Sequence, residues 1–212
     1  MNIVAPGRLI FADGLALQER LVAQVAAGGD ESLVLLEHEP VYTIGRTRDH
    51  SSLSGVEPHP VHETNRGGQA TYHGPGQLTG YPILDLNKRG RDLHAYLRFL
   101  EGFLIEFCAG FGVEASRREG LTGVWVGSRK IASLGVGVRK WVAMHGFAIN
   151  ILRVSVDPFS HITPCGISGV QMTSLEDEAG KPIEFDKALR MAGEQFQKAL
   201  PMLSQPSRPQ KS

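Results

Sequence analysis

Cysteine is scarce in this chain: Cys108 and Cys165 are the two among 212 residues. That is too few for a disulfide framework, so the fold must rest on a packed core. An excess of one charge is also missing. Lys plus Arg and Asp plus Glu number 22 each, which removes the broad electrostatic footprint of a nucleic-acid or anionic-membrane binder and leaves room only for a local basic patch. No stretch approaches the ~20 apolar residues of a membrane span. The opening MNIVAPGRLIFADG lacks a basic region followed by an apolar run, so no secretory signal is expected. These absences together predict a cytoplasmic protein with reduced thiols, and a reduced thiol can do chemistry. Apolar residues make up 42% and charged residues 21%, the balance of a globular chain rather than a disordered one. Its length suits one domain, or two small lobes around a shared core.

The apolar pattern predicts a helix over 13–29, with Asp13 able to cap its start, Leu17, Leu21 and Val25 in a stripe, and Gly28-Gly29 ending it. Strands are expected at 32–38 and 41–45, either side of Pro40, and a loop over 46–60. The clearest helix spans 92–112, with Leu93, Leu97, Leu100, Leu104 and Phe107 on one face. Cys108 sits one residue round from that stripe, which favours an inert packing role. Antiparallel strands are expected at 113–116, 122–128, 130–141 and 142–152, with Gly127-Ser128 a hairpin tip. A helix returns over 184–200 with Phe185, Leu189, Ala192 and Phe196 aligned, and 204–212 reads as a disordered tail. Helices and strands come in blocks rather than in βαβ alternation, so the α+β class is favoured over a doubly wound sheet.

The most unusual segment is RGGQATYHGPGQLTGYPILDL (66–86), which crowds four glycines and a proline into its first eleven residues. Glycine lets the backbone take positive φ and lets a ligand approach the main chain, leaving N–H groups able to hold a carbonyl, carboxylate or phosphate. A turn between two strands would explain the glycines alone, but not Arg66, Gln69, Tyr72, His73 and Gln77 among them. The segment matches neither a phosphate-cradling G-x-x-x-x-G-K-[ST] loop nor a G-x-G-x-x-G fingerprint. Arg129 and Lys130, adjacent at a strand start, should face opposite ways, so that one reaches solvent while the other enters a cleft. His145, on an apolar strand beside Gly146, reads either as a hydrogen-bonded core residue or as a group at a site. His59 and His62 could suggest a metal pair, but no third ligand is evident and no metal is expected. Cys165, in TPCGI (163–167), is left by its neighbours as nucleophile, ligand or core residue.

Taken together, RGGQATYHGPGQLTGYPILDL, GVWVGSRKIASLGVGVRKWVAMHGFAINI and FSHITPCGI closely resemble the lipoyl(octanoyl) transferases, also called lipoate-protein ligase B. LLEHEPVYTIG (35–45) and MTSLEDE (172–178) agree in order and spacing, and the likeness runs from about residue 9 to about residue 200. Glu39 stands where that family commonly has a second proline, and Phe147 where it commonly has leucine. The resemblance implies a mixed β-sheet flanked by helices, shared with biotin and lipoate protein ligases. It implies one catalytic domain over 1–203 that moves an octanoyl group from octanoyl-acyl carrier protein to a lysine of a lipoyl domain or of the glycine cleavage H protein. It assigns Cys165 as the acyl-thioester nucleophile and Lys130 as the residue that activates it. The acyl chain would lie against Arg66, Gly67, Gly68, Gln69, Ala70, Thr71, Tyr72 and His73, against Ser133, Leu134 and Gly135, and against Gly146, Phe147 and Ala148. No cofactor, nucleic acid or membrane partner is implied, and the chain is expected to act as a monomer.

The chemistry is consistent with those assignments. A free thiol has pKa ~8.5, so a cation within ~4–6 Å is needed to make thiolate common at neutral pH. Exchange of one thioester for another needs no ATP. Amide formation then requires a group to take the acceptor lysine's proton, with Lys130 a candidate and His73 and His145 weaker ones. Backbone N–H groups of the glycine-rich loops, or of Gly166, could hold the oxyanion. An apolar slot lined in part by Leu134, Phe147 and Ala148 would take the eight-carbon chain. The rivals are an ATP-dependent ligase of the same fold, a non-catalytic module that docks lipoyl domains, and a cysteine hydrolase.

Overall fold

Most of the apolar runs become strands. The computed structural model describes residues 1–53, 55, 58–163 and 169–203. In chain order the strands are β1 (Asn2–Leu9), β2 (Ser32–His38), β3 (Val41–Ile44), β4 (Val61–Glu63), β5 (Thr71–His73), β6 (Gln77–Ile83), β7 (Ser116–Arg118), β8 (Leu121–Val126), β9 (Arg129–Arg139) and β10 (Val142–Asn150). Seven of them form one sheet in the order β1-β2-β6-β10-β9-β8-β7, and three form a small sheet in the order β4-β3-β5. In the large sheet β1 runs parallel to β2, and every other pair is antiparallel.

The helices are α1 (Phe11–Ala26), α2 (Leu93–Ala109), α3 (Leu175–Ala179) and α4 (Phe185–Leu203). β2 shows how they are placed. Its run SLVLLEH is apolar on both sides because both sides are covered. Leu33 and Leu35 join Leu100, Leu104, Phe107 and Phe196 of α2 and α4, while Val34 and Leu36 join Leu21, Val22 and Val25 of α1. Helices on both faces of a mixed sheet are the architecture that the sequence led us to expect.

Some local expectations are corrected. β1 was not anticipated: Pro6 and Gly7 break its pattern, yet as an edge strand it tolerates both, with a register shift between Val4 and Gly7. With β1 present, β1-α1-β2 is a βαβ unit inside an otherwise antiparallel sheet. α1 begins at Phe11, so Asp13 lies in its first turn rather than at its cap. Residues 113–116 are not a strand of their own; pairing starts at Ser116. The 46–60 loop holds a short helical turn at His50–Ser52. The hairpin tip is at Gly127-Ser128, since Val126 pairs with Arg129. The tail, 204–212, lies outside the described residues.

Candidate active site

The glycine-rich segment divides into two strands. Its first part docks on β9, where Gly67 N–H donates to Val136 O at 2.9 Å, and it then forms β5. Its second part, β6, is buried along its whole length near the middle of the large sheet. Gly76 N–H, between the two, donates to Glu37 Oε1 at 2.6 Å. Arg66 anchors the entry: Nη2 donates to Thr43 O at 2.7 Å and to Thr43 Oγ1 at 2.8 Å, and Nη1 to Gly67 O at 3.0 Å.

Folding brings segments 66–73, 133–135 and 146–148 together around one opening. Of the fourteen residues expected beside the acyl chain, all but Gly67 and Tyr72 border one cavity. Tyr72 turns instead into the small sheet's core against Tyr42 and Phe159. Phe147 borders the cavity while its ring packs on Phe103 at 5.5 Å between centroids. Phe11, Thr79, Tyr81 and His145 border the same cavity, and the first three were not anticipated. Thr79 and Tyr81 share one face of β6, a period-2 signal hidden by reading that stretch as loop.

Three buried histidines stand on or beside the cavity. His38 Nδ1 donates to Leu9 O at 3.1 Å, so its Nε2, 2.6 Å from Tyr81 Oη, accepts from that hydroxyl. His73 Nδ1 donates to Gln77 Oε1 at 2.8 Å, because the Gln77 amide nitrogen is turned to Tyr72 O and Asn150 Oδ1. His145 takes φ +56°, with its N–H donating to Gln18 Oε1 at 2.8 Å. Burial pushes His73 down to about 3, helped by the neighbouring His38 and Arg66. Burial likewise brings His38 and His145 down to about 4, with Arg66 adding to the effect at His145. All three rings are therefore neutral at physiological pH. His59 and His62 are no part of a metal centre among the described residues.

Arg129 and Lys130 do face opposite ways. Arg129 is exposed and forms a two-pronged bridge to Glu178 at 2.7 and 2.8 Å, whereas Lys130 is 1% exposed. The Lys130 stem crosses Gly123, where a β-carbon would lie 2.6 Å from Cε. Its Nζ donates to Thr122 O at 3.2 Å and stands 5.4 Å from the Trp125 ring centroid. Lys130 is not itself a cavity wall; Ser133, three residues on along β9, is.

Cys165 and Gly166 lie outside the described residues. The chain on either side is tied down. Thr163 N–H donates to Ser52 O at 2.8 Å, and Lys130 N–H donates to Gln171 O at 2.8 Å, with Thr173 N–H returning to Lys130 O at 2.9 Å. The second cysteine, Cys108, is fully buried, and burial pushes its thiol up to about 12. It is a core residue, as its place beside the helix stripe suggested.

The family model of the lipoyl protein ligase A/B catalytic domain matches residues 11–197. The chain belongs to this family. It is 54% identical over 194 residues to an octanoyltransferase of Citrifermentans bemidjiense, covering 92% of this chain and 94% of that one. An octanoyltransferase of Geobacter sulfurreducens is 56% identical over 189 residues, covering 89% and 80%. Among solved structures, lipoate-protein ligase A bound with ATP superposes with a TM-score of 0.78 at 14% identity, covering 94% of this chain and 85% of that one. The biotin protein ligase of Aquifex aeolicus gives 0.57 at 14% identity, covering 96% and 70%. These two similarities show the fold alone, and it is the biotin and lipoate ligase fold.

Proposed function

We infer that this chain is an acyltransferase that moves an octanoyl group from octanoyl-acyl carrier protein to a lysine of a lipoyl domain, with 1–203 as its catalytic domain. The observation that carries this is its identity with octanoyltransferases, above one half over about nine tenths of the chain. The cavity supports it independently: apolar Phe11, Leu134 and Ala148 border it together with polar Gln69 and Thr71, the mixture that an acyl chain ending in a thioester requires.

In the mechanism, the Cys165 thiolate attacks the donor carbonyl carbon, a new sulfur–carbon bond forms, and the carrier's thiolate leaves and takes up a proton. The cationic Lys130 favours the anionic sulfur. The acceptor amine then attacks the enzyme thioester, an amide bond forms, and the Cys165 sulfur leaves as the amine gives up its proton. Having given its ammonium proton to the departing carrier thiolate, Lys130 is neutral at this stage and is the candidate to accept that proton. The three histidines are already neutral and are held by burial well below neutrality, so none supplies a cation beside the sulfur. Neutral His73 and His145 border the cavity, where they can accept a hydrogen bond.

Incubation with octanoyl-carrier protein and no ATP, followed by intact-mass measurement, tests this. One octanoyl group should appear on the parent, be absent from Cys165→Ser, and pass to an added lipoyl domain. An unmodified parent would point to a docking module, an absolute ATP requirement to a ligase, and free octanoate in place of acylated acceptor to a hydrolase.

A further inference from the structure

Glu101 was not among the candidate residues, and its carboxylate accepts from the peptide whose carbonyl receives Lys130. It lies on the inner face of α2 with its side chain fully buried. Its two oxygens are used differently. Oε2 receives Arg98 at 2.8 Å and Arg117 at 3.1 Å, both partly exposed. Oε1 is turned the other way and accepts the Gly123 N–H at 3.1 Å.

That N–H belongs to the peptide unit joining Thr122 to Gly123. The carbonyl of the same unit, Thr122 O, accepts from Lys130 Nζ at 3.2 Å. In a trans peptide the C=O and N–H point in opposite directions, so the unit bridges the carboxylate on one side to the ammonium on the other. A buried anion at the N–H draws the amide's electrons toward its oxygen, which becomes a stronger acceptor, and such chains reinforce each other in a low-dielectric interior. The space is specialised as well. Gly123 has φ +134°, and a β-carbon there would meet Lys130 Cε at 2.6 Å, Ala132 O at 2.9 Å and Lys130 Nζ at 3.1 Å. The lysine stem thus runs directly over the peptide that Glu101 holds.

We propose that Glu101 is a positioning residue for Lys130, acting through the Thr122–Gly123 peptide to fix and polarise the carbonyl that receives the ammonium. This rests on Lys130 being the lysine of the octanoyl transfer described above. A tie that merely joined α2 to β7 would need only Arg117 on Oε2. The charged groups facing Glu101 are Arg98 from its own helix, Arg117 from β7, and Lys130 from β9 through the peptide.

Two variants separate charge from reach. Glu101→Gln keeps an acceptor for Gly123 N–H and loses the anion; Glu101→Asp keeps the anion and is too short to reach. In single-turnover acylation by octanoyl-carrier protein, each should slow the step about tenfold near neutrality by displacing its acidic limb about one pH unit upward. The rates should converge with the parent at high pH, and donor KM should stay unchanged. A loss equal at every pH, or folded variants as fast as the parent, would overturn the proposal. Should neither variant fold, amide NMR of the parent and Lys130→Met decides: the Gly123 resonance should move when Lys130 is removed, and an unmoved resonance refutes the bridge. Should Lys130→Met itself acylate at the parent rate, the role of Lys130 falls and Glu101 with it. If Lys130→Met is inactive and the Glu101 variants are normal, only the Glu101 proposal fails.

Discussion

Gly80 and Phe147 are partners across β6 and β10, and the phenyl ring lies where a side chain at Gly80 would be: an added β-carbon would stand 2.1 Å from Phe147 Cζ. The strand that borders the cavity and the core beneath α2 are therefore coupled through one missing methyl group. Gly80→Ala should displace the ring and destabilise the protein by about 1–3 kcal/mol, the usual cost of overpacking. Phe147→Ala should cost about 3–5 kcal/mol by leaving a hole beside Phe103. Urea unfolding measures both; a fully stable Gly80→Ala protein would mean that the contact is slack.

Ala148, also on the cavity, offers a test of the acyl slot. Each buried methylene contributes ~0.8 kcal/mol, so an eight-carbon donor should be strongly preferred to a two-carbon one. Ala148→Leu should reduce kcat/KM for octanoyl donors at least about tenfold while sparing acetyl donors, since only the long chain loses its burial. Equal losses for both donors would place the chain elsewhere.

Buried neutral histidines make stability depend on pH. His38 and His145 titrate near 4 and His73 near 3 in the folded protein, against about 6.5 in the unfolded chain. Between those values the unfolded state binds more protons. Stability is accordingly unaffected above about pH 6.5 and falls as pH drops toward 4, with a slope of at most about 1.4 kcal/mol per pH unit for each histidine. Denaturation at several pH values should show this, with a shallower slope in His73→Gln. Identical slopes in parent and variant would rule out His73 as a contributor.

Arg66 borders the cavity, yet its nitrogens are engaged by Thr43 and Gly67. Arg66→Met should cost about 2–3 kcal/mol through lost charge-assisted hydrogen bonds, and should also weaken donor binding by loosening the glycine-rich loop. Normal donor KM in the variant would separate the loop's position from Arg66.

Arg129→Ala, one residue from Lys130, should leave the melting temperature unchanged. The Arg129 end of its bridge to Glu178 is open to solvent, although the Glu178 side chain is only 10% exposed, and pairs open to solvent contribute little. A clear drop in melting temperature would show that this bridge matters more than its exposure suggests.

What the sequence determined follows from short-range pattern and chemical type. Apolar periodicity placed α2, α4 and β2, and the Gly127-Ser128 tip fixed the β8–β9 hairpin. Strand alternation separated Arg129 from Lys130, and the blocks around Lys130 and Cys165 carried the family. Some features depended on partners far away in the chain. β1 is a strand because β2 lies beside it, despite Pro6 and Gly7. Thr79 and Tyr81 became cavity residues once β6 took its place between β2 and β10. Nothing in the 92–112 pattern marks Glu101; Arg117 and Gly123, 16 and 22 residues away, close around it only in the fold. Periodicity reports which side of an element is buried. Which group meets which inside is settled only when the elements pack, because contact geometry depends on distances that the linear order does not contain.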